Sequence, residues 1–183
     1  MMLNTEKRNP NTMNIDKSTT VEMLSCIQEE NYNAVKAIEP AIKDIERACD
    51  MITDRMKKGG RLIYIGAGTS GRLGVMDAAE CPPTYGVSME LVSGIIAGGY
   101  DRMVSAGESS EDNGDMGAKD LAEKQLSSVD TVLGISVAGN AAYVADALLY
   151  AKSKGCLTVG LTCNKGSRLD IESDISIVTD TGA

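Results

Sequence analysis

The chain has no histidine, tryptophan or phenylalanine among its 183 residues; its only aromatic side chains are six tyrosines. Without imidazole, Ser-His and Cys-His triads are excluded, and acid–base chemistry near neutral pH falls to carboxylates, Lys, Tyr or Cys. Without Phe and Trp the core must come from Ile, Leu, Val, Met and Ala, which suits a parallel sheet covered by helices. No run reaches the roughly 18 apolar residues of a transmembrane helix, so no membrane partner is expected. The start, "MMLNTEKRNPNT", has no apolar segment of the secretory kind, and the expected location is the cytoplasm. Five scattered cysteines (Cys26, Cys49, Cys81, Cys156, Cys163), odd in number and without a C-x-x-C pair, read as reduced thiols packed as small hydrophobes, with no metal site. A net charge of −8 argues against nucleic acid, whose backbone calls for a cationic surface.

What is present is the composition of a soluble globular domain, 43% apolar and 24% charged, long enough for one real core. Residues 1–17 are polar and read as an N-terminal arm without a core of its own. Residues 18–60 read as helices: Thr19 and Glu22 form a capping box before "VEMLSCIQEEN", a break falls near Pro40, and Ile42, Ile45, Cys49, Ile52 and Met56 recur at helical spacing before a stop at Gly59 and Gly60. From Arg61 the pattern changes. Short apolar runs ("RLIYIG", "ELVSGIIAG", "TVLGISV", "LTVGLTC", "DISIVTD") alternate with helical segments, which predicts βαβ units and a parallel sheet of about five strands over 61–183. A doubly wound sheet normally carries a further helix after its last strand, so the end at Ala183 reads as a truncation or an edge completed by oligomerisation.

The stretch "YIGAGTSGRLG" places Gly66, Gly68 and Gly71 in G-x-G-x-x-G spacing between a strand and a helix. Backbone N–H groups at a helix N-terminus suit an anion. A dinucleotide site also needs an acid about 20 positions on, at the end of the second strand. Glu90, the nearest, stands at the wrong end of "ELVSGII". Thr69 and Ser70 offer hydroxyls that can wrap a compact phosphate. A plain tight turn is the alternative.

Three further groups carry chemistry. Glu80 precedes Cys81-Pro82-Pro83; the prolines predict a helix end there, where the dipole and any burial would favour a protonated carboxyl able to act as an acid. "GESSEDNGD" holds Glu108 and Glu111, three apart and on one face if helical, either of which could be a base. "SVAGNAAY" runs from strand to helix, and Ser136, the Gly139 backbone and Asn140 could form a second anion-facing turn, or Asn140 a simple N-cap. Loops at the carboxyl ends of neighbouring parallel strands share a crevice, so the three groups could meet.

Residues 61–86, "RLIYIGAGTSGRLGVMDAAECPPTYG", closely resemble the signature of the N-acetylmuramic acid 6-phosphate etherases, a family related to the glucokinase regulatory protein. The likeness extends to "TEKRNPNTMNIDKSTTVEML", "GIIAGG", "ESSED" and "GCLTVGLTCNKGS", effectively the whole chain. It implies an SIS-type three-layer α/β sandwich: a roughly five-stranded parallel sheet flanked by helices. The implied activity is carbon–oxygen lyase chemistry of cell-wall (peptidoglycan) recycling and amino-sugar catabolism. N-acetylmuramic acid 6-phosphate and water give N-acetylglucosamine 6-phosphate and D-lactate by elimination then hydration, with no metal or other cofactor. The ligand is thus a small phosphosugar and the assembly a homodimer, on whose partner the arm would pack. By motif, Glu80 corresponds to the family's proton-donating glutamate and Glu111 to its second catalytic glutamate, the base, with Glu108 a neighbour in the substrate site. Gly68, Thr69, Ser70, Gly71 and Arg72 of the first loop, and Ser136, Gly139 and Asn140 of the second, would bind substrate. In the second loop the family pattern S-x-S-G-(R/N)-T meets Ala138 and Ala141 here. Two lost hydroxyls amount to about 1.5–3 kcal/mol each if both bond a charged phosphate, and family members continue beyond "TGA" into further binding residues. The competing expectations are a non-catalytic phosphosugar-binding or regulatory module and, more distantly, an aldose–ketose isomerase.

Overall fold

A computed structural model of the protein describes residues 3–105 and 111–183. The sheet has five strands, all parallel, in the order β2-β1-β3-β4-β5. They are β1 (Leu62–Gly66), β2 (Val92–Ile96), β3 (Thr131–Ile135), β4 (Leu157–Thr162) and β5 (Ile175–Val178), the five runs read from the sequence. Each crossover carries a helix: α3 (Gly68–Tyr85), α4 (Gly114–Ala122), α5 (Ala142–Ser153) and the short α6 (Arg168–Glu172). The chain winds from β1 outward to β2, then returns to the other side of β1 and proceeds through β3 to β5. The switch point therefore lies between β1 and β3, where ligands of open parallel sheets bind, outside the carboxyl ends of the strands.

The sheet is covered on both faces, as its near-continuous apolar strands require. One face packs Ile63, Ile65 and Val132 against Leu121 of α4, Tyr143, Val144 and Leu148 of α5 and Leu169 of α6. On the other, Val159, Ile175 and Ile177 meet Ala41 and Ala48, while Leu62 and Val92 meet Ala78 of α3. Full burial of each branched side chain contributes on the order of 1.5–3 kcal/mol. Two helices precede the sheet, α1 (Thr20–Lys36) and α2 (Ile42–Met56), separated by a 3₁₀ turn at Glu39–Ala41 that contains Pro40. The capping box forms as read: Glu22 N–H donates to Thr19 Oγ1 at 3.4 Å, and Thr19 N–H to Glu22 Oε2 at 2.7 Å. On α2 the buried face differs from the expected stripe. Ala48 is buried and Ile45 and Ile52 pack against the sheet, whereas Ile42 and Cys49 are exposed.

The arm folds as three 3₁₀ turns, Asn4–Glu6, Pro10–Thr12 and Ile15–Lys17, with no buried residue. It is tied to its own chain: Asn4 Nδ2 donates to Asp180 Oδ1 at 2.6 Å and Asn11 Nδ2 to Glu30 Oε1 of α1 at 2.8 Å.

At the amino ends of the strands, Asp130 locks β1 to β3. Its side chain is 1% exposed. It accepts from Arg61 N–H (2.8 Å), Arg61 Nη2 (2.7 Å) and Ser127 N–H (2.8 Å). Burial alone would push the carboxyl up, but the hydrogen bonds from the Arg61 side chain and from the two backbone amides outweigh it and hold the group below its ordinary value of 3.8. A depressed folded value means stability that is fully present above the unfolded pKa and lost as pH falls through the folded one. Asp130→Asn is therefore expected to cost about 3 kcal/mol at neutral pH by urea denaturation. The gap from the parent should narrow below about pH 4.

Candidate functional site

Ala67 alone separates β1 from α3. Glycine makes so short a turn feasible. Gly68 has φ +55, and a Cβ on Gly71 would stand 2.6 Å from the Gly66 carbonyl oxygen and 2.8 Å from Ile96 Cγ1. The first turn of α3 is thus pressed onto the ends of β1 and β2. Its N-cap residue, Ala67, makes no side-chain hydrogen bond, so the first amides of the helix, flanked by the Thr69 and Ser70 hydroxyls, are presented to whatever lies above the strands.

The loop after β3 is laced from beneath. Ser136, 7% exposed, accepts the Gly139 N–H on its hydroxyl at 3.0 Å. Gly139 has φ +76, and a Cβ there would meet Ser167 Oγ at 2.1 Å and Thr162 Oγ1 at 2.5 Å. Leu169 N–H donates to the Gly139 carbonyl and Arg168 N–H to Asn140 Oδ1, both at 3.0 Å. The Gly139 amide is therefore spent inside the loop and is not the anion donor read from the sequence. Nor does Asn140 cap α5, whose N-cap is Ala141; it caps the first turn of α6. The short α6 has too few residues for helical periodicity, but Ser167-x-x-Asp170 announces it, with Asp170 N–H on Ser167 Oγ at 3.4 Å.

A third segment completes the wall. Glu111 stands in the turn before α4 rather than in a helix. Its carbonyl accepts the Tyr143 N–H of α5 at 3.0 Å, and its carboxylate turns toward the first loop. Glu111 Oε1 would lie 3.2 Å from a Cβ on Gly68.

Between these segments is a cleft of about 430 Å³ at the switch point. Of the residues singled out by sequence, Thr69, Ser70, Glu111, Ser136 and Asn140 line it, joined by Asp112, Ala138 and Ala141. Glu6 of the arm also lines it; it falls in the quoted stretch "TEKRNPNT", but no periodicity or spacing marked it as a site residue. Gly68, Gly71 and Gly139 are its framework. No lysine or arginine lines it among the described residues. A larger hollow of about 590 Å³ beside the open edge of β2 gathers none of the predicted residues.

Two predicted residues lie elsewhere. Arg72 directs Nε to the Met103 carbonyl (3.2 Å) and Nη2 to that of Ser105 (3.1 Å), tethering the segment after β2. Glu80 is exposed on α3 and is not at its end. The helix runs through Pro82 and Pro83 to Tyr85 and stops at Gly86, φ +68, whose N–H reaches the Pro82 carbonyl at 2.8 Å. The prolines remove only two donors near the last turn, which the helix tolerates, and Gly86 supplies the left-handed stop. Twelve helical residues from Gly68 put Glu80 about 18 Å along the axis, away from the cleft of its own chain. Glu108 lies outside the described residues.

A five-stranded parallel sheet in this order, with a cleft walled by hydroxyl-bearing strand-to-helix loops at the switch point, defines an α/β domain of the SIS type. The chain belongs to the family described as glucokinase regulatory protein N-terminal SIS domain, whose model matches residues 44–152. It is 49% identical over 180 residues to the N-acetylmuramic acid 6-phosphate etherase of Clostridium beijerinckii, covering 98% of this chain and 59% of that one. With the enzyme of the same name from Caldanaerobacter subterraneus it shares 51% over 178 residues, covering 97% and 58%. The chain thus spans about three-fifths of the length of these curated relatives. Among solved structures, it is similar in fold to a phosphoheptose isomerase from Neisseria gonorrhoeae (TM-score 0.68, 16% identity, 88% of this chain and 86% of that one). One from Francisella tularensis gives TM-score 0.62 at 18% identity, with the same coverage.

The second loop offers a direct check. Ser136→Ala strands a buried N–H and is expected to cost about 1–3 kcal/mol in denaturant unfolding. Gly139→Ala adds backbone strain to a clash with Ser167 and Thr162 and should cost more. The reverse order would show that the loop is not held as described.

Proposed function

We propose that the protein cleaves the D-lactyl ether of N-acetylmuramic acid 6-phosphate, giving N-acetylglucosamine 6-phosphate and D-lactate, as a cytoplasmic homodimer in cell-wall recycling. The observation that carries this reading is the Glu111 carboxylate beside Gly68, in one cleft with the Thr69 and Ser70 hydroxyls. The identity to curated etherases supports it.

In this reading the phosphate sits over the first turn of α3, bonded by backbone amides, Thr69 and Ser70. Ser136, which uses its oxygen as an acceptor for Gly139, keeps its proton to donate. The open-chain sugar then extends toward Glu111. The aldehyde at C1 acidifies the C2 proton, Glu111 takes it, and the electron pair is held as an enolate on the C1 oxygen. Collapse of the enolate breaks the C3–O bond, and the departing lactate oxygen takes a proton from an acid. Water then adds its oxygen to C3 of the unsaturated aldehyde, and C2 regains a proton. Glu80 is the acid implied by motif. Because it lies about 18 Å along α3, a second copy of the chain is required to bring it to the cleft. Glu108, Arg72, Gly68 and Gly71 complete the proposed substrate site, Arg72 through the segment it tethers, while Gly139 shapes the loop that carries Ser136.

A second reading rests on one observation. Ala138 and Ala141 stand in the cleft wall, so this loop offers fewer hydrogen bonds than one with hydroxyls at those two positions. A module that binds phosphosugars without turning them over would present such a wall.

D-lactate release from N-acetylmuramic acid 6-phosphate is the test. Glu111→Gln should lower the rate at least about 100-fold, the scale of a lost general base. Glu80→Gln and Glu111→Gln subunits, each inactive alone, should regain activity when mixed and reassociated, since a mixed dimer holds one intact site. Folded protein that binds the phosphosugar but releases no lactate would replace this reading with the binding module.

A further inference from the structure

The arm has no core of its own, yet its first turn is held to the body by a fully used amide. Asn164, 3% exposed, follows β4. Its Oδ1 accepts the N–H of Asn4 at 2.8 Å and of Thr5 at 3.4 Å. Its Nδ2 donates to Thr5 Oγ1 and to the Val137 carbonyl, both at 2.9 Å. Both lone pairs and both protons of the amide are thereby satisfied. One side of this clamp is the arm, and the other is the loop after β3 that lines the cleft. Asn4 is further tied to Asp180 at 2.6 Å. The turn Asn4–Glu6 closes on itself through the Glu6 N–H to the Leu3 carbonyl, at 3.1 Å. Its last residue, Glu6, then stands in the cleft wall with Thr69, Ser70 and Glu111.

We propose that the arm is a wall of the ligand site, that Glu6 accepts hydrogen bonds from hydroxyl or amide N–H groups of the sugar, and that Asn164 is the residue that positions it. This rests on the phosphosugar reading above and extends it. A carboxylate accepts from hydroxyls and repels a phosphate. Glu6 therefore selects the orientation in which the phosphate lies at α3 and the polyol lies toward the arm. Inorganic phosphate, which has no such groups, gains nothing from Glu6.

Binding to the purified chain is measured by calorimetry, with N-acetylmuramic acid 6-phosphate, N-acetylglucosamine 6-phosphate and inorganic phosphate. Glu6→Gln is expected to weaken both phosphosugars about tenfold while leaving inorganic phosphate unchanged or tighter. Asn164→Ala and Thr5→Val should act in the same direction, and Thr5→Ser, which keeps the hydroxyl that Asn164 donates to, should bind as the parent does. As a second readout, either phosphosugar should slow tryptic cleavage after Lys7 and Arg8 in the parent but not in Asn164→Ala, and inorganic phosphate should not. Unchanged phosphosugar affinity in Glu6→Gln, or an equal loss for inorganic phosphate, overturns the proposal and leaves the phosphosugar reading standing. A parent that binds neither phosphosugar removes both.

Discussion

The site depends on the reversal of winding between β1 and β3. All five strands are parallel, so every strand-to-helix loop emerges on one side of the sheet, but only at the reversal do two adjacent loops diverge, one into α3 and the other into α5. The gap so created needs no side-chain excavation, because topology supplies it. What the sequence must add is a first loop short enough to leave the helix amides at the floor of that gap. A single residue, Ala67, with glycines on both sides, meets this demand, and a Cβ at Gly71 would break it by colliding with the end of β1.

The electrostatics follow from the same geometry. The described lining has carboxylates and neutral donors but neither lysine nor arginine. An anion here must be held by helix amides and hydroxyls, with hydrogen bonds to a charged group contributing about 1.5–3 kcal/mol each and the helix terminus about 0.3–1 kcal/mol. Such donors are short-ranged and directional, unlike a point charge. They favour a compact tetrahedral oxyanion seated directly on the turn, and disfavour anionic groups of a ligand where they would face the carboxylates of the wall. A site of this kind sorts ligands by where their negative charge sits.

Much of this was legible in the residues. The five strands were marked by short β-branched runs, and the first loop by glycine spacing with two hydroxyls. The convergence of Thr69, Ser70, Glu111, Ser136 and Asn140 followed from parallel connectivity. What was not legible depended on tertiary partners. Pro82-Pro83 reads as a helix end because a proline removes a hydrogen bond, but α3 continues one turn to a glycine that supplies the stop, so Glu80 falls neither at a terminus nor in the cleft. The Gly139 amide looked available because the buried Ser136 hydroxyl that occupies it is three residues away and carries no signal of its inward rotamer. Glu6 belongs to a polar arm whose first turn is clamped by an asparagine some 160 positions along the chain, and no local pattern encodes that pairing.

These placements also rank the walls by how firmly they are fixed. The loop after β3 is held by Ser136 within, by Thr162 and Asn164 below and by α6 alongside. The first loop is fixed by close backbone contact with two strands. Glu111, by contrast, has one described backbone anchor, its carbonyl on the Tyr143 amide, and Glu6 depends on the Asn164 clamp. The floor of the cleft at the first turn of α3 is thus built from rigid parts, whereas Glu111 and Glu6 sit on segments docked onto those parts. Misplacement by about 1 Å is enough to lose most of the benefit of orientation. Under the proposed function, the contacts that would decide turnover are consequently the peripheral ones: the Tyr143 amide under Glu111 and the asparagine under the arm. The glycine loop alone specifies only that something anionic can be seated.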